Sequence, residues 1–86
     1  VPINPHNELR KLKTKYPFVL ETSWDNLIRP ERVASLIGRP IGYVPFPLLT
    51  KRCYLFETEA DLVRGRAILV TDGLRSVNTP SRRYDN

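Results

Sequence analysis

A chain of 86 residues makes one small domain that buries only about 60% of its unfolded surface, so a partner's contacts can be part of its stability. With 41% hydrophobic and 27% charged residues the composition is that of a folded protein, and no run reaches the roughly 20 apolar residues of a membrane span. A formal charge of +5 points to an acidic partner (nucleic acid, anionic lipid or an acidic protein surface), while a single cysteine, Cys53, excludes an intrachain disulfide and a cysteine-rich zinc centre.

Four basic groups stand against one acid over residues 1–16, three against three over 17–50, and seven against five over 51–86, so the excess charge sits at the two ends. Nothing argues for an oxidising compartment, and a reducing intracellular one is expected. The sequence has no methionine, even at position 1. Removal of an initiator or of an organelle-targeting presequence accounts for that, which keeps the mitochondrion as one candidate compartment.

Val1 to Ile3 should be extended. Asn4 then caps a helix that begins at Pro5, where a missing N–H is harmless, and runs to Lys15. Leu9, Leu12 and Tyr16 share one face; Arg10, Lys11, Lys13 and Lys15 spread over the rest, as a solvated side or as phosphate contacts. Pro17 ends the helix, and Phe18 to Thr22 has the composition of a strand. Ser23 is placed to cap a short helix carrying Trp24, Leu27 and Ile28 at i, i+3 and i+4. The same spacing returns after Pro30 at Val33, Leu36 and Ile37, before Gly38 and Pro40 stop the second helix. Trp24 reads as a core or rim anchor.

From Arg39 to Leu49 the chain is apolar but punctuated by Pro40, Pro45 and Pro47, which predicts a polyproline-like or edge-strand segment. Such a segment cannot satisfy its own backbone groups, so it lies on this domain's core or in a groove of another subunit. Cys53 to Phe56 and Ala67 to Val70 are short apolar runs that read as two strands. Between them, Thr58 caps one or two helical turns that Gly65 stops. That connection is too short for a parallel crossover, so the two strands are expected to form an antiparallel ribbon. Thr71-Asp72-Gly73 reads as a turn and Leu74 to Val77 as a short strand. These limits give one domain over residues 1–77 and a polar tail over 78–86, whose Arg82 and Arg83 are expected to be held only by a partner.

Catalytic chemistry finds little to work with. His6 is the only histidine, and Glu57, Glu59, Asp61 and Asp72 lack the spacing of a calcium loop. No glycine-rich phosphate loop is present. Neither an enzyme nor a cofactor is expected.

The two central helices invite comparison with a helix-turn-helix, but Pro45 would cut a recognition helix starting near Pro40 to about one turn. Val33-Ala34-Ser35-Leu36-Ile37-Gly38 resembles small excisionase-type winged helices over that stretch alone, too short to assign a family. Tyr43, Phe46, Tyr54 and Phe56 interleave with Arg39, Lys51 and Arg52, a pattern that can stack single-stranded bases on a basic surface.

These features predict a small α+β domain with an antiparallel sheet of two to four strands, two or three short helices and extended termini. The expected role is a non-catalytic accessory or adaptor subunit whose partners are the other protein subunits of a larger complex. Trp24, Tyr43, Pro45, Phe46, Pro47, Arg82 and Arg83 are the candidate docking residues. A small nucleic-acid-binding protein, winged-helix-like or RNA-associated, is the alternative. It would use Arg10, Lys11, Lys13, Lys15, Arg39, Lys51 and Arg52 on phosphates.

Overall fold

The structure, a computed structural model, describes residues 4–24 and 28–71, together with the backbone pairing of Arg82–Arg83. Helix α1 spans Pro5–Lys15, and the Asn4 side chain accepts the His6 N–H at 3.0 Å. Strand β1 (Phe18–Ser23) follows, then α2 (Pro30–Ile37), β2 (Gly42–Phe46), a single 3₁₀ turn (Pro47–Leu49), β3 (Lys51–Phe56), α3 (Glu59–Thr71) and the two-residue β4 (Arg82–Arg83). Gly38 closes α2 at φ 91°, a left-handed conformation that glycine adopts without steric penalty.

The sheet is antiparallel with β3 in the middle, β2 on one side and β1 on the other, and β4 lies against the outer border of β1. Alternation along the strands divides the core into two clusters. Val19, Val44, Phe46, Cys53 and Leu55 face α1, which covers them with Leu9, Leu12 and Tyr16. Leu20, Tyr54 and Phe56 face the other way, under Ile28, Val33 and Ile37 from the α2 side and Leu62 and Leu69 of α3. The molecule is therefore α+β, a thin sheet with helices on both faces.

Two side-chain braces fix α2 against α3. Arg64 of α3 donates to the carbonyls of Leu36 and Ile37, at 3.0 and 3.4 Å, satisfying acceptors that the end of α2 leaves open. Arg39 reaches back with Nε 3.4 Å from Asp61 Oδ2 and Nη1 3.4 Å from Glu57 Oε1. The Tyr54 hydroxyl donates to the buried Ile28 carbonyl at 2.7 Å, tying the chain before α2 to the central strand.

The expected ribbon of Cys53–Phe56 with Ala67–Val70 does not form. Thr58 caps α3 as anticipated, accepting the Asp61 N–H at 3.1 Å. The helix then continues through Gly65 to Thr71, so Ala67 to Val70 are helical, and β3 pairs with β1 and β2 instead. Asp61, Leu62, Gly65 and Leu69 are the buried positions, a helical spacing along one face. Ser23 ends β1, and Trp24 lies in a turn. Much of the helix expected there, with the turn and strand expected over 72–77, lies outside the described residues.

Candidate functional site

The segment linking β2 to β3 carries the most exposed large apolar side chain among the described residues, Leu48. Pro47 starts the 3₁₀ turn, and Thr50 closes it: the Thr50 N–H donates to the Pro47 carbonyl at 3.1 Å while Thr50 takes φ 48°. A β-branched residue in that region is strained. Held in this way, Leu48 is 98% and Leu49 52% exposed. Trp24 belongs to the same end of the sheet, because its backbone N–H donates to the Thr50 carbonyl at 2.8 Å, and its side chain is 38% exposed. The Arg52 guanidinium stacks on the Trp24 ring 4.6 Å from its centre. That contact is a cation–π pair, and the Arg52 Nε beneath is buried without a hydrogen-bond partner.

A groove of about 310 Å³ runs from this tip to the start of α1, lined by Asn4, Pro5, His6, Phe46, Pro47, Leu48 and Leu49. Its lining is apolar apart from Asn4 and His6, and the imidazole sits 5.3 Å from the Phe46 ring. Two further grooves flank β2. One of about 380 Å³ lies toward α1, with Pro5, Glu8, Tyr43, Val44, Pro45 and Pro47; one of about 390 Å³ lies toward α2, with Pro30, Glu31, Ala34, Pro40, Ile41 and Tyr43.

The expected docking residues divide. Trp24, Pro45 and Pro47 are exposed along this end and border, and Tyr43 is half-buried with its ring 5.2 Å from that of Tyr54. Phe46 is not a surface anchor; it is buried under α1 because it alternates with Pro45 on β2. Arg82 and Arg83 pair by their backbones with Val19 and Phe18, so a strand of this chain holds this part of the expected tail. Leu48 and Leu49 were not among the expected residues. The signal was available in the turn chemistry, because Pro47 and a hairpin tip turn the intervening side chains away from the sheet.

The candidate phosphate contacts are scattered. Arg10, Lys11 and Lys15 are exposed on α1, with Lys11 3.7 Å from Glu8, and Lys13 is half-buried on the same helix. Lys51 lies 3.5 Å from Glu21, and Arg39 is engaged by Glu57 and Asp61. Tyr54 and Phe56 are fully buried, which removes them from any base-stacking surface. The element after α2 is strand β2, so no recognition helix follows it.

Reactive groups are muted as well. Burial, assisted by Glu21 and opposed by Lys51 and Lys13, pushes the Cys53 thiol up to about 12, so it is a protonated core side chain at neutral pH. Burial also raises the Tyr43 phenol above its usual range, with Arg52 opposing. Among the described residues no group of three or more His, Cys, Asp or Glu side chains is placed to hold a metal ion, and no helix is long and apolar enough to cross a membrane. No protein-family model matches the chain, and no curated protein or solved structure is significantly similar to it.

Proposed function

We propose that the protein is a non-catalytic docking subunit of a larger protein assembly, engaging its partner through the β2–β3 tip and the adjoining border of β2. The observation that carries this reading is the exposure of Leu48 and Leu49 beside Trp24 at one tip, whereas the described strands close their apolar side chains into two clusters and the other exposed large apolar residues, Leu36, Val63 and Val70, lie on α2 and α3. Adjacent exposed leucines with a partly exposed tryptophan and a stacked arginine have the make-up of an interface centre, where aromatic and arginine anchors hold most of the binding energy. The rest of the segment from Tyr43 to Phe46 serves the chain's own sheet. The docking role we propose falls to Pro45, Pro47, the tip and the outer border of β2.

The test is the native mass of the untagged chain from gently lysed source cells, with the co-eluting proteins identified, alongside the double variant Leu48→Lys/Leu49→Lys. Both positions are at the surface, so the fold should change by no more than about 0.5 kcal/mol. The wild-type chain should elute with fixed protein partners and the variant as a free particle of 10.0 kDa. A wild-type chain that elutes free refutes the subunit reading, and nuclease-sensitive elution replaces it with a nucleic-acid role through α1.

A further inference from the structure

The two borders of the sheet differ. Beyond β1 lies β4, whereas nothing pairs with the outer side of β2 among the described residues. What that open border offers can be worked out from one contact, the Trp24 N–H donated to the Thr50 carbonyl. Hydrogen-bonded and non-bonded pairs alternate along an antiparallel ladder. The contact therefore sets Thr22–Arg52, Leu20–Tyr54 and Phe18–Phe56 as the bonded pairs between β1 and β3. Lys51, Cys53 and Leu55 then direct their backbone groups toward β2, where they meet Phe46, Val44 and Gly42. Tyr43 and Pro45 turn theirs outward. Pro45 agrees with this phase, since it stands at a position from which β3 needs no donor. The border thus presents the Tyr43 N–H, the Tyr43 carbonyl and the Pro45 carbonyl.

We infer that this border accepts an extended, basic segment of the partner protein as an added strand, an assignment that rests on the docking reading above. In such a complex main-chain bonds supply register and the grooves supply selectivity. Successive side chains of the added strand fall on opposite faces of the sheet, one into the groove toward α1 and the next into the groove toward α2. Among the described residues, the charged one lining the first is Glu8, with Lys11 3.7 Å from its carboxylate, and the one lining the second is Glu31. Both grooves are otherwise dominated by proline and aliphatic surface. The matching segment has lysine or arginine at neighbouring positions within a stretch about as long as the five residues of β2.

The other occupants fit less well. Two copies joined β2 to β2 would bring two sets of Glu8 and Glu31 together, and a nucleic acid would set phosphates against the same carboxylates. Pro45 limits the ladder by withholding a donor, so the added strand contributes a few main-chain bonds while the leucine tip contributes apolar contact.

The test uses the intact chain and two acetylated hexapeptides, TVKKVT and TVEEVT, with the backbone amides followed by NMR. At about 2 mM, where weak strand addition becomes measurable, TVKKVT should shift the β2 amides and slow exchange of the Tyr43 N–H, and TVEEVT should do neither. The surface double variant Glu8→Gln/Glu31→Gln should keep the fold and weaken TVKKVT binding about fivefold. No response at Tyr43, an equal response to both peptides, or an oligothymidylate moving the Tyr43 amide overturns the proposal. So does sedimentation as a dimer with the Tyr43 amide already protected. If the leucine variant leaves its native complex while TVKKVT fails at Tyr43, the strand assignment falls and docking stands. If TVKKVT binds but the leucine variant stays in the complex, the tip is the part that is wrong.

Discussion

Gly65→Ala separates a structural account of α3 from a propensity account. In an exposed helix interior, alanine is favoured over glycine by about 1 kcal/mol. At this position the added Cβ would lie 2.3, 2.7 and 3.2 Å from Cζ, Cε1 and Cε2 of Phe56. The ring has no open space to step into, because Phe56 is fully buried on the central strand and packed in the cluster under α2 and α3. Relief requires α3 or the ring to move by about 1 Å, and overpacking of a filled core costs about 1–3 kcal/mol. The clash wins, and the net expectation is destabilisation by about 1–2 kcal/mol, read as a lowered midpoint in urea with an unchanged slope. Phe56→Leu removes the atoms responsible. In that background Gly65→Ala should be neutral or stabilising by up to about 1 kcal/mol, so the double-mutant cycle should show a coupling of that order or more. A Gly65→Ala chain that is more stable than the parent by about 1 kcal/mol would refute the close approach of α3 to β3.

Cys53 predicts an alkaline signature. Its thiol is raised from the ordinary 9.0 to about 12, so it stabilises the fold fully below pH 9.0, and that contribution declines as pH rises toward about 12. Cys53→Ala should be less stable at neutral pH but flatter between those values by up to about 1.4 kcal/mol per pH unit, measured by urea unfolding at stepped pH. Iodoacetamide at pH 8 should modify the native chain far more slowly than the unfolded one. Tyr54→Phe removes the bond to the Ile28 carbonyl and should cost about 1 kcal/mol, with little change in the far-ultraviolet spectrum. Thr50→Gly relieves a β-branched residue at φ 48° and should raise the thermal midpoint, against the loss of its hydroxyl's bond to the Leu49 carbonyl at 2.7 Å. A fall in the midpoint would show that this hydroxyl bond outweighs the backbone strain.

The elements with local punctuation were legible in the sequence. Asn4 with Pro5 located α1, Pro30 with Gly38 located α2, and the branched and aromatic runs at Phe18 and Cys53 located β1 and β3. The second half of α3 was not. Glycine is both the usual helix stop and the residue chosen where two backbones or rings must approach, and nothing near Gly65 in the chain distinguishes the roles. The distinction is made by the Phe56 ring, a tertiary fact. Reading Gly65 as a stop left Ala67 to Val70 as an isolated apolar run of strand length, and the false ribbon followed from that one choice. The proline-punctuated segment from Arg39 to Leu49 was legible as a unit but not in its sides. Proline at 45 obscures the alternation that sends Val44 and Phe46 inward and Pro45 outward, so Phe46 was taken for an anchor and Leu48 was not singled out.

Among the described residues, core packing does not call for leucine at positions 48 and 49. Removing two leucines from the core would leave cavities costing about 2–5 kcal/mol each, but Leu48 occupies no core and Leu49 covers little of one. A tighter connection between Phe46 and Lys51 would serve the sheet equally well, since two-residue turns suit the twist of paired strands. The chain instead uses a proline-initiated 3₁₀ turn closed by a strained threonine, and that arrangement holds both leucines away from the sheet. Backbone strain persists where the surroundings over-determine it, and it collects at surfaces with a task. Here the strained Thr50 closes the turn and offers its carbonyl to the Trp24 N–H, and neither contact requires leucine at 48 or 49. On the docking role proposed above, exposed leucine and strained backbone at the same tip share one reason, the partner surface that the tip meets.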